Sequence, residues 1–90
     1  MDGSIRLGGN IELFGAEVLD GATMVVVKKI IGNYVRRFSE RGLERLAVSF
    51  QQGGVSVEAV AGGNTLSGVA EHSNIFFSLD IALKEIEKQL

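Results

Sequence analysis

The chain contains no cysteine. That excludes a disulfide framework, a thiolate nucleophile and any cysteine-based zinc site, and it fits an intracellular setting. Only one histidine is present, His72. A metal site would need further ligands converging on it, and nucleophilic catalysis would need a base beside a Ser or Thr. Its neighbour Glu71 points to the other side of a strand. No metal, no cofactor and no enzymatic activity are therefore expected. Positive charge is not in excess either: nine Lys or Arg stand against eleven Asp or Glu, a formal charge of -2. Any attraction to nucleic acid has to come from a local patch. Long hydrophobic runs are missing as well. The most apolar stretch, Met24 to Ile31, is interrupted by Lys28 and Lys29, far short of the roughly 20 residues a spanning helix needs. The opening "MDGSIRLGG" is too acidic and too poor in apolar residues for a secretory signal. A cytoplasmic protein with no membrane partner is expected.

What the chain does have is apolar patterning. With 90 residues, 46% of them hydrophobic, it reads as one α+β domain over residues 1–90. Ile5, Leu7, Ile11 and Leu13 alternate with polar residues and predict a single strand from Ile5 to Phe14, loosened at Gly8 and Gly9. Asp20 is a candidate cap for a helix in which Met24, Val27, Ile31, Tyr34, Val35 and Phe38 share one stripe. It is expected to end near Ser39 or Glu40, with Gly42 in the left-handed conformation that closes helices. Leu46, Val48 and Phe50 predict a second strand, "QQGG" a turn, and Val55 to Ala61 a third strand. Gly62 and Gly63 suit a tight primed turn into a fourth, "NTLSGVAE". Ser73 or Asn74 then caps a final helix with Ile75, Leu79, Ala82, Leu83, Ile86 and Leu90 on its buried stripe. The expected fold is a two-layer α+β sandwich in the order β-α-β-β-β-α, a four-stranded sheet with both helices on one face. The paired glycines at 8, 53 and 62 are read as turns, since "GGNTLSG" lacks the Lys and the following helix of a phosphate loop.

The hairpin "VEAVAGGNTLSGVAE", the helix "NIFFSLDIALKEIEKQL" and the opening "IRLGGNIEL" together resemble the ribosome hibernation-promoting factor family, also called ribosome-associated inhibitor or sigma-54 modulation proteins. Asn74, Phe76, Ser78, Leu79, Asp80, Ala82, Leu83, Ile86 and Leu90 sit where that family's terminal helix pattern would place them. The resemblance implies the same element order and a non-enzymatic protein that binds small-subunit ribosomal RNA near the decoding centre and obstructs mRNA or tRNA.

Such binding needs a cationic strip. Lys29 and Arg36 lie at the centre of the first helix's polar face, flanked by Lys28 and Arg37, with Arg41 and Arg45 extending the positive character past the helix. The same residues also read as an ordinary solvated face, with Glu40 placed to pair with Arg36. In the last helix Glu85 and Glu87 stand beside Lys84 and Lys88, so any RNA contact is expected on the first helix. Val25 and Val26 fall off the buried stripe, either as a partner surface or in an unwound first turn packed under "FGAEVL". Asp80 reads as a solvated or capping carboxylate. The alternative to RNA binding is a small protein-interaction or homo-oligomeric assembly module that uses an exposed strand edge or the valine pair.

Overall fold

The computed structural model describes residues 5–8 and 10–90. Strands β1 (Ile5–Gly8) and β2 (Ile11–Phe14) lead through a short 3-10 turn (Ala16–Val18) into helix α1 (Gly21–Ser39). Strands β3 (Leu43–Gln51), β4 (Gly54–Ala61) and β5 (Asn64–Glu71) follow, then helix α2 (Ile75–Gln89). The sheet is five-stranded and mixed, in the order β1-β2-β3-β4-β5. Only β2 and β3 run parallel, joined by α1 as a crossover.

The fold is α+β with two helices, as expected, but the sheet has five strands where four were predicted. The predicted first strand is in fact two, because the chain reverses between Gly8 and Ile11 and pairs Arg6 with Glu12. Gly9, one of the two glycines on which that strand was read as loosened, lies outside the described residues.

Local rules place the remaining boundaries. The Asp20 side chain accepts the Thr23 N–H at 2.7 Å and opens α1. The Asn74 side chain accepts the N–H groups of Phe76 and Phe77 and opens α2. Each satisfies donors that a helix start leaves without partners. Between β4 and β5 the turn residues Gly62 and Gly63 have φ of 59° and 80°, the left-handed pair a two-residue hairpin turn needs. The Glu44 carboxylate reaches across from β3 and accepts the Gly63 N–H at 3.0 Å.

The cross-strand register aligns Leu13 with Val48, Val48 with Val57, and Val57 with Gly68. These residues share one face of the sheet, and they form a single core with Val27, Ile31, Tyr34 and Phe38 of α1 and Leu79, Leu83 and Ile86 of α2. Both helices therefore cover the same face. Gly68 sets how closely α2 approaches: a Cβ there would lie 2.5 Å from the Ala82 carbonyl oxygen. The opposite face carries Phe14, Ser49, Ser56 and Val69 in one cross-strand row and Glu12, Ala47, Glu58 and Ser67 in the next.

Candidate nucleic-acid interface

The two helices carry all but three of the chain's cations. Lys28, Lys29, Arg36 and Arg37 lie on α1, with no acidic residue in that helix, and Lys84 and Lys88 lie on α2. The anions are distributed the other way: among the described residues only Asp80, Glu85 and Glu87 lie within α1 or α2, and the other seven lie in strands, turns and the caps of α1. The helices therefore total +3 and the rest of the chain -5, so the small net charge conceals a strong division. A divided surface of this kind attracts a polyanion locally even when the whole molecule is acidic.

Two of the three helical anions are committed to partners. Asp80 accepts a hydrogen bond from the Tyr34 hydroxyl and pairs with Lys84 at 3.3 Å. Glu87 accepts from the Arg37 Nε at 3.0 Å. Glu85 is exposed and makes no ion pair among the described residues, with its Cβ beside Gly68. The hydrogen bond from Tyr34, aided by the Lys84 ammonium, holds the Asp80 carboxyl below its ordinary range despite partial burial. Burial, then the bond to Asp80, pushes the Tyr34 hydroxyl above its usual value. The hydrogen bond to Glu87 raises Arg37, against the lowering by burial.

This arrangement sorts the residues singled out from sequence. Lys28, Lys29 and Arg36 are exposed on α1 and, like Lys88, make no ion pair among the described residues. The pairing of Arg36 with Glu40 is not formed. Arg37 is the exception in the strip, because it turns toward α2 and lies 4.6 Å from the centre of the Tyr34 ring. Arg41 is exposed in the turn after α1. Arg45 does not extend the strip: it precedes the buried Leu46 on β3 and lines a shallow hollow of about 360 Å³ on the open face with Arg6, Glu12 and Glu58. Strand alternation contained that signal.

Val25 and Val26 sit in regular helix and are 65% and 41% exposed. The unwound first turn expected from sequence is absent. Asp80 is a half-buried interhelical acceptor, neither a cap nor fully solvated. His72 is exposed; its Nδ1 accepts the Asn74 N–H at 3.0 Å, and its ring meets that of Phe77 with centroids 4.7 Å apart. Among the described residues no group of three His, Asp or Glu side chains could hold a metal ion, and no helix is long and apolar enough to cross a membrane.

Two outward residues of α2 escaped the sequence reading. Phe77 and Ile81, one helical turn apart on α2, are 51% and 38% exposed. The helical wheel contained the signal, because both fall off the stripe formed by Leu79, Leu83 and Ile86. No family model, no curated protein and no solved structure matches the chain.

Proposed function

We propose that this protein is a non-enzymatic binding protein that sets its helix layer against structured RNA, in the manner of the ribosome hibernation factors it resembles. The supporting observation is the charge division: +3 on the two helices against -5 elsewhere. Lys28, Lys29 and Arg36 contact phosphates, since sequence-independent affinity for nucleic acid comes chiefly from such contacts. Arg37 holds the two helices together and leaves the contact surface to its neighbours. The expected target is the small ribosomal subunit.

Sedimentation with purified small subunits across a salt series tests this directly. The parent protein should co-sediment at low ionic strength and be released as salt rises. The double substitution Lys29→Glu and Arg36→Glu should weaken binding and lower the log-log salt slope by about one for each lost contact. Absence of salt-sensitive binding by the parent to subunits or to structured RNA defeats the proposal.

A second reading is self-assembly through β5. This edge strand runs for eight residues and carries no charge from Asn64 to Ala70, whereas protein edges are ordinarily guarded by charge. One of its carbonyls, that of Ser67, accepts the Gln89 side-chain amide at 2.7 Å. A mass that doubles with concentration, without RNA binding, would favour this reading.

A further inference from the structure

We propose that Phe77 is a stacking platform for an unpaired nucleobase, so that the RNA taken by the helix layer is bulged or looped and not a continuous duplex. This inference rests on the RNA-binding reading above and narrows its substrate class.

The ring is placed for the role. Phe77 is the one aromatic side chain among Phe, Tyr and Trp that is exposed among the described residues. It contributes nothing to the core stripe of α2, which is completed by Leu79, Ala82, Leu83 and Ile86. Its backbone N–H is held by the Asn74 side chain, so its position is anchored by the cap that starts the helix. The His72 ring braces it at an interplanar angle of 67°, an edge contact and not a stack.

Its surroundings decide between ligands. Ile81, Lys84 and Lys88 follow Phe77 at four, seven and eleven residues, which is one continuous outer stripe of α2. An aromatic ring followed by cations along a groove or face is how single-stranded nucleic acid is held: the bases stack and the charges follow the backbone. Duplex RNA offers no base face to such a ring, whereas bulges and loops do. A lipid surface fits less well. An interfacial helix needs its whole apolar face for the membrane, and here that face is buried against the sheet. Of the large apolar residues of α2, only Phe77 and Ile81 remain exposed.

The test compares one RNA hairpin carrying a single-base bulge with its fully paired counterpart, binding being measured by fluorescence anisotropy at low salt. A 2-aminopurine placed at the bulge reports stacking independently of affinity. The parent should prefer the bulged hairpin by about tenfold, the order set by one base stacked on an aromatic ring, and should quench the 2-aminopurine. Phe77→Leu should bind the paired hairpin as the parent does, lose the preference and leave the fluorescence unchanged. Phe77→Tyr should retain both. Equal affinity of the parent for the two hairpins, or an undiminished preference in Phe77→Leu, overturns the platform while leaving the RNA-binding reading intact. Failure of the parent to bind either hairpin overturns the platform, and failure also to bind small subunits in a salt-sensitive way, with or without binding to anionic phosphatidylserine vesicles, overturns both.

Discussion

The hydroxyl of Tyr34 on α1 donates a hydrogen bond of 2.5 Å to the Asp80 carboxylate on α2, joining residues 46 positions apart in the chain. Because Tyr34 is buried and Asp80 half-buried, the bond forms where water competes only in part. It also orients Asp80 toward Lys84, one turn along the same helix.

Substituting Tyr34 by Phe should destabilise the protein by about 1 kcal/mol at neutral pH, below the usual range for a bond to a charged acceptor because Asp80 is partly solvated. That corresponds to a fall in Tm of about 4 to 8 °C for a domain of this size. The difference should depend on pH in a defined direction. Asp80 titrates below its unfolded value near 3.9, so its contribution is present above that value and is lost as the pH falls through the folded one. Tyr34 titrates above its ordinary value, so its contribution is present below about pH 10 and is lost as the pH rises further. Melting curves of the two proteins should therefore converge below about pH 4 and again above about pH 10. A constant gap from pH 3 to 11 would remove the bond from the explanation.

Two glycine substitutions should have opposite signs. Gly68→Ala puts a Cβ 2.5 Å from the Ala82 carbonyl oxygen, forcing α2 off the sheet. The cost should be about 1 to 3 kcal/mol, the range for overpacking a tight interface. Gly32 lies within α1, exposed and with nothing near its missing Cβ. Gly32→Ala should stabilise by about 0.5 to 1 kcal/mol through helix propensity alone. Chemical denaturation of both variants measures the contrast.

Docking of α2 can be weighed separately. Ile86 is completely buried, and Ile86→Ala should cost about 2 to 5 kcal/mol, a large share of what a small domain possesses. A Tm within a degree or two of the parent would mean that the last turns of α2 are not packed as described.

Arg36 and Arg37 are neighbours with different work, and substitution should separate them. Arg36→Gln should leave thermal stability unchanged and reduce the salt dependence of RNA binding. Arg37→Gln should lower the melting temperature, because it removes the bond to Glu87 and the cover over the Tyr34 ring, and should alter the salt slope less. Equal salt slopes with equal stabilities would show that both arginines are merely solvated.

Much of the architecture was present in the order of the residues. The caps at Asp20 and Asn74, the reversal at Gly62 and Gly63 and the buried stripes of both helices depend on residues at most a few turns apart, so local chemistry and periodicity suffice to place them. The β1-β2 hairpin did not reveal itself by pattern. Its outer pairs, Ile5 with Leu13 and Arg6 with Glu12, match odd positions with odd and even with even, which is the alternation of one uninterrupted strand, and the register shifts only near the turn, where Gly8 faces Ile11. The division of labour in the basic strip also needed the tertiary structure. A helical wheel sets Arg37 about 100° from Arg36, yet only the packing of α2 beside α1 brings Glu87 to within 3.0 Å of Arg37 and Asp80 to Tyr34. Those partners lie 50 and 46 residues away, and pairing over such separations is decided by how two amphipathic helices share one sheet face, which no local pattern records.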